Sequence, residues 1–159
     1  MSASADKVVA IAQKEVGYKE GVNNDSKYGA WYGLNHQSWC AMFVSWCFGQ
    51  ANLTSLIDSG AKGYASCSLF EAWARQHNLI VPTNSVQAGD ILLFDFYNKG
   101  VSEHTGIATG GIDPHTHLIP TVEGNTAPEG GNQTNGDGVY IKHRAISTIR
   151  AVVRPKYPN

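Results

Sequence analysis

Cysteine and charge are both scarce in this chain, and each shortage narrows what the protein can be. Charged residues make up 16% of the 159 positions and sum to −1 at pH 7. With no run of Lys or Arg to form a basic patch, no nucleic acid is expected as a partner. No stretch approaches the roughly 18 consecutive apolar residues of a membrane helix, so membrane insertion is not expected either. The opening M-S-A-S-A-D-K-V-V-A-I-A-Q-K is broken by Asp6, Lys7, Gln13 and Lys14, which argues against a signal peptide. The three cysteines, Cys40, Cys47 and Cys67, show no C-x-x-C spacing, and an odd number cannot close a disulfide framework. Reduced thiols are expected. Internal repeats and low-complexity linkers are also missing, so residues 1–159 read as one domain, long enough to bury a core without staples.

What is present is a globular composition, 42% hydrophobic, with 17 glycines and 6 prolines that imply many turns. Val8, Ile11, Ala12 and Val16 recur at helical steps after Ser4, a possible cap, and Gly17 ends the run. Gly21 to Asn35 has no sustained period and reads as an ordered loop. Within it, Trp31 and Tyr32 are candidates to stack on a sugar or peptide, against packing beneath the loop. From Cys40 to about Gln50 apolar residues fall on nearly all sides, which predicts a buried central helix with Cys47 in the core. A further helix fits Ser68 to His77, capped by Ser66 or Ser68. Cys67 at its start has no other feature of a site and reads as structural. After Pro82 the pattern turns to short strands, Ile91–Phe96, Thr105–Thr109, Leu118–Glu123, Val139–His143 and Ile149–Val153. Helices first and an antiparallel sheet after them predict an α+β fold.

The chemistry centres on H-Q-S-W-C-A-M-F-V-S-W-C-F, His36 to Phe48. If the helix begins at Ser38 or Trp39, its free N–H groups and positive dipole end face the Cys40 sulfur and favour the thiolate. A cysteine nucleophile needs a base, and the base needs a third group to fix its tautomer. His104 opens a strand, and the small Gly106 and Ala108 on its face leave room for a helix N-terminus. Glu123 and Asn125 end the next strand two residues apart, so they can share a face and reach the imidazole. Glu123 would accept from His104 Nδ1, and Asn125 would steady the ring or contact substrate. The Cys40 backbone N–H is the natural first donor to an oxyanion, and Asn35 or Gln37 is a candidate for the second.

The runs Y-G-x-W-Y-G-L-N-x-x-x-W-C-A-M-F-V-S-W-C, G-D-I-L-L-F, H-T-G-I-A, V-E-G-N-T and V-Y-I-K-H-R together resemble the CHAP family of cysteine, histidine-dependent amidohydrolases and peptidases, in particular those of phage endolysins. The resemblance extends from about Lys27 to Pro155. It implies a papain-like α+β fold and hydrolysis of an amide bond in the peptide part of bacterial peptidoglycan. The family's nucleophile falls on Cys40, its base on His104, its orienting acid on Glu123 and its further polar residue on Asn125.

The resemblance also implies a protein made in a host cytoplasm and released to the wall by a separate membrane-permeabilising protein; a monomer is expected. A non-catalytic wall-binding module and a papain-like hydrolase of another amide, such as a protein isopeptide, are the alternative readings. No cofactor is expected: N-N-D-S at 23–26 offers one carboxylate, too few for a confident calcium site, and D-P-H-T-H at 113–117 reads as an exposed hairpin loop rather than a zinc site.

Overall fold

A computed structural model describes residues 2–60 and 62–158. The Ser2 side chain accepts from the Ala5 N–H at 3.1 Å and opens α1 (Ala3–Lys14), two residues before the cap expected at Ser4. The segment expected as loop contains a short helix, α2 (Lys27–Tyr32). Six residues are too few to show a helical period, yet its ends are marked. Ser26 accepts from the Gly29 N–H, and Gly33, at φ 94°, closes the helix in the left-handed region. The central helix α3 (Cys40–Gln50) buries Cys40 to Ser45, Cys47 and Phe48, and α4 (Cys67–Gln76) is capped by Ser66.

The strands are β1 (Ile80–Val81), β2 (Ile91–Phe94), β3 (His104–Ala108), β4 (Leu118–Thr126), β5 (Gly138–Ala145) and β6 (Ile149–Val153). They form one six-stranded antiparallel sheet in the order β1-β6-β2-β3-β4-β5. The expected α+β arrangement, N-terminal helices on a C-terminal antiparallel sheet, is what the chain adopts. The apolar run of β2 is buried throughout, as a central strand covered on both faces must be.

One face of the sheet packs against α3, with Phe43, Val44 and Cys47 meeting Leu93, Ile107, Val122 and Val139 in a single core. Leu92, Phe94, Ile119 and Val152 fill a second cluster on the other side. Strand β4 runs three residues past its expected end, with a register shift against β5 between Glu123 and Thr126. Asn125 sits in that irregularity at φ 56°. Such an irregularity re-aims side chains, and it determines where Glu123 and Asn125 point.

Candidate active site

Helix α3 begins at Cys40 with no capping bond from its own N-cap, Trp39. The cap comes from the sheet: Asn125 Oδ1 accepts the Trp39 N–H at 2.8 Å. Trp39 is itself fixed, its indole donating to Glu20 Oε1 at 2.9 Å and its ring stacking on Tyr28 at 5.2 Å. Close approach of helix and strand depends on Gly124, where a Cβ would lie 2.7 Å from both Phe43 and Trp39. Cys40 is therefore held in the first helical turn, 6% exposed, where the helix leaves backbone N–H groups unused.

Across from it, His104 is fully buried at the start of β3. Its Nε2 bonds Glu123 Oε1 at 2.8 Å, while Nδ1 has no protein hydrogen-bond partner. The ring is thus turned the other way from expectation, with the far nitrogen on the carboxylate and the near one left for sulfur. Gly106 makes room for Glu123 rather than for the helix, since a Cβ there would overlap the Glu123 side chain. Arg144 clasps Glu123 with two bonds, Nε to Oε2 at 2.9 Å and a second nitrogen to Oε1 at 2.5 Å, and Thr121 donates to Oε2 at 2.6 Å. The Arg144 guanidinium lies over the Phe96 and Phe94 rings, 4.8 and 5.4 Å from their centres.

The electrostatics follow from these contacts. Burial works to raise the Glu123 pKa, but Arg144 and His104 outweigh it and hold it at about 2. Burial works to lower that of His104, yet Cys40 and Glu123 raise it to about 9. The Cys40 thiol is pushed well below its ordinary value by a hydrogen bond from Cys67 and, against burial, by His104 and the Thr105 N–H. A thiolate beside an imidazolium is the favoured state at neutral pH, the form in which a cysteine attacks a carbonyl.

The other expected residues lie elsewhere. Asn125 does not touch the imidazole: the irregularity in β4 turns it to Trp39 and, through Nδ2, to the Gly136 carbonyl at 2.8 Å. Trp31 packs against Gly49 at the far end of α3, with Lys62 over its ring, and Tyr32 reaches Gly60. Asn35 ties the loop together, accepting from the Ser26 N–H and donating to Asp25 at 2.7 Å. Gln37 is exposed in the bend before α3. Asp113 caps its own turn through the His115 and Thr116 N–H groups, and no group of three metal-ligating side chains occurs among the described residues.

Sequence reasoning gave no role to Arg144, Thr121 or Glu20, and it assigned Cys67 to packing. Arg144 carried a signal, an arginine at an inward position of a strand, where only a buried anion would hold it. Cys67 is brought to Cys40 by tertiary structure alone.

The fold has a solved counterpart. The crystal structure of Ly7917 superposes with a TM-score of 0.54 at 16% identity, covering 95% of this chain and 62% of that one. The chain therefore spans less than two thirds of that protein's length. No curated protein matches. The model of the CHAP domain matches residues 31–125, the segment that carries α3, Cys40, His104, Glu123 and Asn125. With more than half of its length matched, the chain belongs to the CHAP domain family.

Proposed function

We propose that the protein is a cysteine amidohydrolase or peptidase that cleaves an amide bond in the peptide part of bacterial peptidoglycan, as a phage endolysin does. Membership in a family of amidase- and peptidase-type wall hydrolases supports the substrate class. One observation carries the chemistry. The buried His104 presents an unpartnered Nδ1 on the side of Cys40 while its Nε2 is locked to a carboxylate that Arg144 keeps ionised.

In this reading the Cys40 thiolate attacks the amide carbonyl, and the developing oxyanion takes the Cys40 N–H at the start of α3. His104 passes its Nδ1 proton to the leaving amine, then as a neutral base activates the water that hydrolyses the thioester. Glu123 does not change protonation. It holds the ring and stabilises the imidazolium. Asn125 is a positioning residue that sets where the helix, and so the sulfur, begins.

Mass spectrometry of purified peptidoglycan digested by the protein tests the reading. Free lactyl carboxylates paired with new alanine amino ends would mark cleavage at the sugar-to-peptide amide. New termini within the stem or crossbridge would mark an endopeptidase. Either product should vanish with Cys40→Ala. Wall binding without any new ends would favour the binding-module reading and reject this one.

A further inference from the structure

Strand β5 carries two buried cations on the face that holds Glu123, and only one of them has a counter-ion. Lys142 and Arg144 are 9% and 8% exposed. Standing two residues apart they share a face, where Arg144 is paired with Glu123. Lys142 donates to the Ala127 carbonyl at 2.6 Å, and no described carboxylate forms an ion pair with it. Burial and the neighbouring Arg144 push its pKa below 10.5, and Glu123 and Glu129 offset this only in part. A lysine is rarely buried unless it is paired, so this one leaves a place for an anion. Lys142 lines a groove of about 830 Å³ between β5 and the loop that follows β4. Gln133 braces the loop wall, its amide donating to the Pro128 and Gly131 carbonyls at 3.1 and 2.9 Å while its oxygen accepts from Arg144 at 3.0 Å. The other wall is the free edge of the sheet. Along that edge Val139 is already paired, its N–H and C=O bonded to Tyr18 and Gly17 at 3.0 and 3.1 Å. By the alternation of an antiparallel strand, Ile141 and His143 turn their N–H and C=O groups to the same side, where no described backbone meets them. The groove thus offers a row of backbone hydrogen bonds beside a cation, which suits an extended peptide with a free carboxylate better than a phosphate.

We propose that this groove is a subsite for a peptide carboxylate: an extended peptide pairs with Ile141 and His143 along the edge of β5, and its carboxylate docks on the Lys142 ammonium. That the peptide comes from the cell wall rests on the hydrolase reading; the preference for a carboxylate does not. Glu129, exposed on the loop wall, is the competing charge. It lines the same groove without pairing with Lys142, and it weakens the pull on an incoming anion. Arg144 joins the subsite to the catalytic relay, since the guanidinium that clasps Glu123 also lines the groove.

The test is a calorimetric titration of the Cys40→Ala protein, which leaves its ligand uncut, with diacetyl-Lys-D-Ala-D-Ala as the free acid and as the C-terminal amide. The acid should bind about tenfold more tightly than the amide, as loss of one charge-assisted hydrogen bond implies. Adding Lys142→Met should erase that difference. Adding Glu129→Gln instead, which leaves the bond from Lys142 to Ala127 in place, should tighten the acid severalfold. The proposal is overturned if acid and amide bind alike or not at all, or if Glu129→Gln leaves the affinity for the acid unchanged. It is equally overturned if a folded Lys142→Met protein keeps the preference, or if inorganic phosphate binds as tightly as the acid. A preference for the acid in a chain whose parent never digests wall would uphold the subsite and reject the hydrolase reading; a wall-digesting parent whose variant ignores the charge would do the reverse.

Discussion

Helices α3 and α4 both begin with a buried cysteine, and what separates them is who supplies the cap. Helix α4 caps itself, with the Ser66 side chain accepting the Leu69 N–H at 3.2 Å. Helix α3 has no such residue and takes its cap from Asn125, 86 positions away in β4. A local cap needs only its own turn, whereas a borrowed one ties the helix start to the strand that also carries Glu123. The position of the Cys40 sulfur is thereby coupled to the same strand that orients His104. Charge follows the same division: a bond from Cys67 and the neighbouring His104 lower the pKa of Cys40, while the bond to Cys40 and burial raise that of Cys67.

The largest way to break the contrast is to remove the charge network. Arg144→Met should destabilise the fold by about 3–5 kcal/mol, since it leaves Glu123 buried without its cation. Turnover should fall as well, measured on purified walls against thermal or denaturant unfolding. The sign of its acid response is fixed. With its pKa lowered from 4.5 to about 2, Glu123 contributes stability above about pH 4.5 that is lost as the pH falls through 2. Losing Arg144 raises that pKa, so the variant should acid-unfold at higher pH than the parent. An unchanged acid midpoint would remove Arg144 from the network.

Asn125→Ala comes next. Loss of the borrowed cap should cost about 1–2 kcal/mol, and kcat should fall more than KM rises, because the sulfur shifts while the substrate surface stays. Equal loss of stability with full kcat would make Asn125 merely structural. Ser66→Ala should be the mildest, about 1 kcal/mol from a local cap, with little effect on the reactivity of Cys40. A drop in turnover as large as that of Asn125→Ala would erase the distinction between the two helix starts.

Much of this was legible in the sequence. The all-round apolar run announced α3 as the central helix, and the alternating runs after Pro82 announced the sheet. H-T-G-I-A and V-E-G-N delivered His104 and Glu123 to adjacent strands because short antiparallel runs joined by turns become neighbours.

What stayed hidden depended on local geometry that residue type does not encode. The register shift at Glu123–Thr126 cancels the period of two on which a shared face for Glu123 and Asn125 was argued. In β5 the pattern is inverted, with Ile141 57% exposed and Lys142 and Arg144 buried, so hydrophobicity points to the wrong face. Helix α2 was too short to show its period, and the bonds that tie the start of α4 to the start of β3, Tyr64 to Thr105 and Ser68 to Ser102, span 41 and 34 positions.

The central claim is that Cys40 stands as a thiolate beside a protonated His104 at neutral pH. The direct test is the rate of Cys40 alkylation by iodoacetamide across pH, with the modified peptide identified to separate it from Cys67. The account predicts a rate already on its plateau at neutral pH and declining only well below the ordinary thiol range. Wall digestion in turn should fall above about pH 9 as His104 loses its proton. An alkylation rate that climbs through about pH 8.5, as for an unperturbed thiol, would contradict the account.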